Sequence, residues 1–282
     1  MNKETPRSDT AWCPGCGNFA ILETMERVIR EIGLDPSSLV FVSGIGQAAK
    51  LPQYLEVNYF NGLHGRALPA AVGIKLANPG LTVIAESGDG CTYGEGGNHF
   101  IHTIRRNTDL TLVVHNNMVY GLTKGQASPT TDLGHVTDVQ TSGTIIEPLN
   151  PVLLAISLGA GFVARAFTGD LEHLTSVMVE AIRYKGYALV DILQPCVTFN
   201  KVNTFMWYKK RVYKVEEDYD HKDRLKAMEK AMEWGERIPI GILYKDEKQT
   251  YTDKIEFLKG EKSLIEKETD MKKIRGYIED FV

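Results

Sequence analysis

A chain of 282 residues, 43% of them hydrophobic, can bury a large core as one large domain or two small ones. The formal net charge of −4 argues against a nucleic-acid partner, and no apolar run approaches the ~20 residues of a membrane span. Met1 to Thr10 lacks signal-peptide character, and four cysteines (Cys13, Cys16, Cys91, Cys196) do not make a secreted disulfide framework, so a cytoplasmic protein without a membrane partner is expected. Charge is uneven: 37 of the 82 residues from 201 on are charged, against 31 of the first 200. That shift divides the chain into an α/β domain over 1–200, with an N-terminal Cys-x-x-Cys knuckle, and a C-terminal extension or arm over 201–282.

In chain order, Cys13-Pro14-Gly15-Cys16 is a tight turn that can point two sulfurs at one metal, half of the usual ligand set. A thioredoxin-type redox pair lacks its preceding strand, and two small buried residues at a helix start is the plain alternative. Phe19, Leu22, Met25, Val28, Ile29 and Ile32 recur at helical spacing and predict a helix stopped by Gly33. Leu39 to Val42 reads as a buried strand ending in Ser43-Gly44-Ile45-Gly46-Gln47, with Lys50 close behind. His64 lies beside glycines at the start of an apolar helix, Ala67 to Ala77, placed to touch a phosphate or a reacting group, or else to cap its own loop.

Two apolar runs, Leu81 to Ala85 and Leu110 to Val114, end in Gly88-Asp89-Gly90 and Asn116-Asn117, with a crossover helix between them. The two polar clusters therefore sit at the carboxyl ends of neighbouring parallel strands, where an open α/β sheet binds its ligand. A carboxylate and a carboxamide there, among glycines, suit Mg²⁺ and a diphosphate; either half alone is an ordinary turn or loop signal. Lys124 and Thr123 come next, as anion binders or solvated loop residues. Beyond Pro151 a short helix, a strand (Phe162 to Ala166), a helix (Leu171 to Tyr184) and a strand (Ala188 to Leu193) lead to Cys196 on the same sheet edge. Five parallel strands give a doubly wound, mostly parallel sheet. The tail is aromatic (Phe205, Trp207, Tyr208, Tyr213), then charged, with helices at Arg224 to Trp234 and Ser263 to Ile278: a lid, an arm or a solvated cap.

Gly88-Asp-Gly followed by Asn116-Asn resembles the thiamine diphosphate fingerprint. With Trp12-Cys-Pro-Gly-Cys-Gly, Ser43-Gly-Ile-Gly, Leu63-His-Gly-Arg-Ala-Leu-Pro, Gly97-Asn-His-Phe-Ile-His-Thr-Ile-Arg-Arg-Asn, Val119-Tyr-Gly-Leu-Thr-Lys-Gly-Gln and Thr198-Phe-Asn-Lys-Val-Asn-Thr, the chain resembles the thiamine diphosphate-binding beta subunit of 2-oxoacid:ferredoxin oxidoreductases. The resemblance runs from about Thr10 to Ile242. It implies the diphosphate-type fold of thiamine enzymes and oxidative decarboxylation of a 2-oxoacid such as pyruvate or 2-oxoglutarate. Coenzyme A would take the acyl group, and ferredoxin the electrons through an iron–sulfur cluster. Asp89, Asn117 and the Val119 carbonyl would hold Mg²⁺. Gly44, Ile45, Gly46, Gln47, Ala48, Leu63, His64, Gly65, Arg66, Gly88, Gly90, Cys91, Gly121 and Leu122 would line the cofactor. His64 would act near the diphosphate or reacting carbon, with Lys50 and Lys124 candidates for the substrate carboxylate or coenzyme A. Cys13, Cys16 and Cys196 would be three ligands of a [4Fe–4S] cluster.

Two positions depart from that family: Gln47 stands where its fourth cluster ligand falls, and Cys91 where it has an aspartate after Gly-Asp-Gly. Glutamine is a poor iron ligand beside thiolate, which leaves the cluster's nuclearity open. Thiamine enzymes also use a glutamate on a second, pyrimidine-binding domain, and one α/β unit is counted here, so an alpha subunit is expected to complete the site. A non-redox thiamine-dependent 2-oxoacid decarboxylase subunit, without a cluster, is the alternative. A metal-binding scaffold subunit that holds no thiamine is a more distant one.

Overall fold

Helix α1 (Asn18–Ile32) opens the ordered chain, and its Ile21, Leu22, Met25 and Val28 are all buried, as the spacing requires. Gly33 ends it in the left-handed conformation, its N–H returning to the Ile29 carbonyl. The computed structural model describes residues 10–216, 218–268 and 270–281. In order there come β1 (Leu39–Ser43), β2 (Asn58–Asn61), α2 (Ala67–Ala77), β3 (Thr82–Gly88), α3 (Gly97–Arg106) and β4 (Leu110–Asn116). A small hairpin, β5 (Val119–Tyr120) and β6 (Gln126–Ala127), precedes α4 (Pro151–Ser157), β7 (Phe162–Phe167), α5 (Leu171–Arg183) and β8 (Tyr187–Leu193). The chain closes with α6 (Phe205–Lys209), β9 (Val212–Lys214), α7 (Arg224–Met232), β10 (Ile238–Lys245) and α8 (Met271–Glu279).

The eight-stranded sheet has the order β2-β1-β3-β4-β8-β7-β10-β9. The six strands from β2 to β7 run parallel; β10 pairs antiparallel with β7, and β9 parallel with β10. This is the expected doubly wound, mostly parallel sheet, and all five strands read from the sequence are in it. Three were not read. β2 is an edge strand with all four residues exposed, so it carries no burial pattern. β9 and β10 lie in the segment expected as a charged extension, and they place residues 212–214 and 238–245 inside the sheet. α8, by contrast, buries none of its residues.

Side chains alternate between the two faces. Phe41, Ile84, Val113 and Val190 pack with Met25, Leu174 and Met178 under α1 and α5. Val42, Leu112 and Leu189 pack with Leu68, Phe100, Ile104, Val152 and Ile156 under α2, α3 and α4, with Ala227 of α7 beside them. Each fully buried Leu, Ile or Phe contributes on the order of 2 kcal/mol. From β2 the chain passes through β3 and β4 to β7 with α2, α3 and α4 on one face, then returns to β8 with α5 on the other. Right-handed crossovers demand this change of face when the direction reverses. Parallel strands sandwiched this way read as unbroken apolar runs, and all seven residues of β4 and of β8 are buried. The carboxyl ends of β1, β3, β4 and β8 share one edge, so the loops leaving those strands meet there.

A candidate cofactor and metal site at the strand ends

Four strand ends and the knuckle enclose a cleft of ≈ 320 Å³, within the range of cofactor pockets. Ile45, Gly46, Gln47 and Ala48 line it from β1; Gly88, Asp89, Gly90 and Cys91 from β3; Asn117 and Val119 from β4; and Cys196 from β8. Gly121, Leu122 and Lys124 line it from the hairpin, His64 from the loop before α2, and Cys13 and Cys16 from the knuckle. Five expected residues lie outside the lining. Gly44 and Gly65 sit behind it against Cys91, Leu63 is exposed, and Arg66 bonds the Glu95 carbonyl. Lys50 stands within a short 3₁₀ turn, Ala48–Tyr54, past the strand end.

Asp89 is 1% exposed, and both the Ser128 and Thr130 hydroxyls donate to its Oδ2, at 2.5 and 2.7 Å. Burial pushes its carboxyl up to about 6; the two hydroxyls oppose the rise, and Asp191, a like charge, adds to it. A buried carboxylate without a paired cation is a strong site for a divalent ion, and the Asn117 carboxamide and Val119 carbonyl at the neighbouring strand end supply matching hard oxygens. Asn117 Oδ1 already accepts the Val119 N–H at 3.0 Å, which fixes the turn. Behind Asp89, Thr130 also donates to Asn116 Oδ1 at 3.0 Å. Asn116 in turn donates to Asp191 at 3.1 Å, and Tyr93 Oη donates there at 2.6 Å. The sequence reading missed Ser128 and Thr130; the hydroxyl run Ser128-Pro129-Thr130-Thr131, one hairpin after Asn117, is the signal that could have found them.

Cys91 is a structural acceptor. Its buried sulfur takes the Ile45 N–H at 3.4 Å and the Gly65 N–H at 3.1 Å, drawing the β1 and His64 loops together. A Cβ on Gly44 would lie 2.5 Å from that sulfur, and one on Gly90 would lie 2.3 Å from the Tyr120 ring. Tyr120 in turn donates to Glu95 Oε2 at 3.2 Å. Gly90→Ala should push the hairpin carrying Gly121 and Leu122 out of place, weakening cofactor retention roughly tenfold at a cost of about 1–3 kcal/mol in stability. Bound thiamine diphosphate and the urea midpoint of the purified variant check this. His64 Nδ1 lies 3.3 Å from Glu95 Oε2 without hydrogen-bond alignment.

Also in the cleft lining, Cys16 Sγ accepts Gln194 Nε2–H and Cys196 Sγ accepts the Phe199 N–H, both at 3.4 Å. Burial pushes the Cys16 thiol up to about 11; a backbone hydrogen bond at Asn18 opposes this, and Cys196 and Cys13 add to it. Among the described residues no three His, Cys, Asp or Glu side chains converge as they would around a single ion. A polynuclear cluster asks for something else, since each of its irons takes its own thiolate. Cys13, Cys16 and Cys196 line one cleft, together with Gln47.

The fold, the paired strand-end motifs and this cleft define a thiamine diphosphate-binding α/β domain. Accordingly, residues 40–192 match the family described as "Thiamine pyrophosphate enzyme, C-terminal TPP binding domain". Residues 196–260 match the family of the C-terminal part of pyruvate ferredoxin oxidoreductase beta subunits. The chain is 49% identical over 258 residues to the 2-oxoacid:ferredoxin oxidoreductase subunit beta of Saccharolobus solfataricus, covering 86% of this chain and 85% of the relative. It is 46% identical over 249 residues to the subunit of that name from a Sulfolobus species, covering 84% and 82%. Among solved structures it resembles the 2-oxoglutarate:ferredoxin oxidoreductase of Magnetococcus marinus, with 2-oxoglutarate, coenzyme A and succinyl-CoA bound. That likeness has a TM-score of 0.85 at 37% identity over 88% of this chain and 85% of the other. The chain belongs to the family of 2-oxoacid:ferredoxin oxidoreductase beta subunits.

Proposed function

We propose that this chain, joined by an alpha subunit that brings the pyrimidine-binding domain, converts a 2-oxoacid and coenzyme A to acyl-CoA and carbon dioxide and passes the electrons to ferredoxin. The observation that carries this reading is that one cleft holds both the hard-oxygen set of Asp89, Asn117 and Val119 and the thiols of Cys13, Cys16 and Cys196. A non-redox decarboxylase needs only the first set.

Asp89, Asn117 and the Val119 carbonyl would hold Mg²⁺ against the cofactor's diphosphate. Ile45 to Ala48, Gly90, Cys91, Gly121 and Leu122 would form the cofactor's walls, with Gly44, Leu63, Gly65 and Arg66 behind them. When bound, thiamine diphosphate supplies the electron sink for decarboxylation, and an iron–sulfur cluster the one-electron relay. The chain itself would bind the anion and set charges: Ser128 and Thr130 hold Asp89 by its Oδ2, and the apolar Ile45 and Leu122 line the cleft. His64 and Lys124 both line the cleft; His64 would act near the diphosphate or reacting carbon, and Lys124 would meet a carboxylate or coenzyme A phosphate. Lys50, in its 3₁₀ turn, lies outside the cleft lining. Among the described residues no helix is long and apolar enough to cross a membrane, and all four cysteines are free, which suits work in the reducing cytoplasm.

The test is to purify the complex without oxygen, measure thiamine, iron and sulfide, and assay ferredoxin reduction with pyruvate, 2-oxoglutarate and a branched-chain 2-oxoacid. Reduction that requires both a 2-oxoacid and coenzyme A is expected. Thiamine diphosphate with no iron, and carbon dioxide release without coenzyme A, would move the protein to the non-redox decarboxylases.

A further inference from the structure

Gln47 and the knuckle are built as one unit. Trp12 Nε1–H donates to the Gln47 carbonyl at 2.8 Å, and the Trp12 ring meets Phe19 and Tyr54 edge-on at 5.2 and 4.9 Å. The Ala11 N–H donates to Tyr54 Oη at 3.0 Å, at the end of the turn that Gln47 begins. Gln47 lines the same cleft as Cys13, Cys16 and Cys196, and its Oε1 is buried without a hydrogen-bond partner. A buried amide oxygen left unpaired is costly, and a cation facing it removes the cost. Cys91, the remaining cysteine, is 3% exposed, and its sulfur ties the β1 and His64 loops together through two N–H groups.

Resting on the cluster reading above, we propose that the iron–sulfur site has three thiolate corners and one carboxamide corner, Gln47, and that the iron at that corner exchanges with solution. A neutral oxygen is a much weaker ligand than thiolate for iron in a sulfide cluster. The exchange balances in atoms and electrons. Ferricyanide removes one electron from the four-iron cluster, Fe²⁺ leaves the Gln47 corner, and a three-iron cluster remains on Cys13, Cys16 and Cys196. Fe²⁺ and one electron from dithionite restore it.

The experiment uses the complex purified without oxygen, titrated with ferricyanide in the presence of an Fe²⁺ chelator and followed by iron content and EPR. The wild-type complex should lose one iron in four and develop a three-iron EPR signal that Fe²⁺ and dithionite reverse. Gln47→Cys should keep all its iron under the same treatment, and Gln47→Ala should lose it at least as readily as wild type. A wild-type cluster as resistant as that of Gln47→Cys would overturn the proposal and place a thiolate at the fourth corner. Should Gln47→Cys not assemble, 2-mercaptoethanol added to the wild-type complex decides: a shifted EPR spectrum shows an open iron, and an unchanged one rules it out. Thiamine diphosphate bound with no iron at all would instead defeat the cluster reading beneath, and the proposal with it.

Discussion

Asp89→Ala should leave the purified complex without bound thiamine diphosphate or Mg²⁺, with affinity for the pair down by at least about 100-fold and activity lost in proportion. Removing even a group that supports a metal ligand costs 10–100-fold, and Asp89 is proposed as the ligand itself. Cofactor content after gel filtration and metal analysis check this. Asp89→Asn separates charge from shape, because it keeps both hydroxyl contacts while giving up the anion. In the metal-free chain the carboxyl is raised from 3.8 to about 6, so the folded state binds the proton more tightly than the unfolded one. The stability its protonated form contributes is full below about pH 4 and is lost as pH rises through about 6. At pH 7 the metal-free Asp89→Asn chain should therefore exceed wild type by on the order of 3 kcal/mol, and the gap should close at low pH. Saturating Mg²⁺ and thiamine diphosphate should reverse the ranking. Urea midpoints with and without chelator measure both signs, and an Asp89→Asn chain no more stable than wild type at pH 7 would refute the buried-anion account.

Asp191→Ala should cost about 3–5 kcal/mol, because it removes the carboxylate whose field offsets the buried Arg165 charge and the acceptor of Tyr93 and Asn116. Asp191 lies opposite Arg165 in the β7–β8 register, both are at most 2% exposed, and burial pushes each toward its neutral form. Arginine cannot give up its proton at neutral pH, so the carboxylate must balance it. Without Asp191, the Arg165 guanidinium keeps only the Pro239 and Ala231 carbonyls, at 3.4 and 3.3 Å, and the Trp234 ring at 5.6 Å. Tyr93 and Asn116 would lose their acceptor as well, and through Asn116 and Thr130 the loss reaches Asp89. The double variant Arg165→Met, Asp191→Ala should recover more than half of the lost stability in urea unfolding, because no buried charge is then left unpaired. A single variant that costs under about 1 kcal/mol would show that water already solvates the pair.

Much of this was legible because the parallel strands announce themselves twice, once as apolar runs and again as polar punctuation where they stop. Leu110 to Val114 followed by Asn116-Asn117 is the clearest case: the run has to be buried on both faces, and its end has to face a ligand. Helix Ala67–Ala77 was bounded as read, since a glycine-rich loop precedes it and Asn78-Pro79-Gly80 comes after. β2 stayed hidden because an exposed edge of Tyr59 and Phe60 between two asparagines has no core to alternate against. β10 stayed hidden because Pro239 sits in its run, and proline in a strand argues for an edge. Here β9 reaches only the first three residues of β10, and β7 pairs with the later part. In the site, most of the residues that line the cleft were readable from glycine and amide spacing. Ser128 and Thr130, which hold Asp89, were not, because a hydroxyl in a loop looks the same whether it faces water or a buried carboxylate.

The bond from Gln194 to Cys16 joins positions 178 residues apart, and that distance sets an order of assembly. A growing chain releases Cys13 and Cys16 early and Cys196 late, and the wall that joins them exists only once β8 has seated on β4. Contacts of such long range form late in folding, so any group needing all three sulfurs is loaded into a finished sheet. Once the sheet has closed and before loading, Cys16 is held with its thiol near 11, almost wholly protonated at neutral pH. A protonated thiol is slow to oxidise or exchange. The burial that shapes the site therefore also keeps that cysteine chemically quiet.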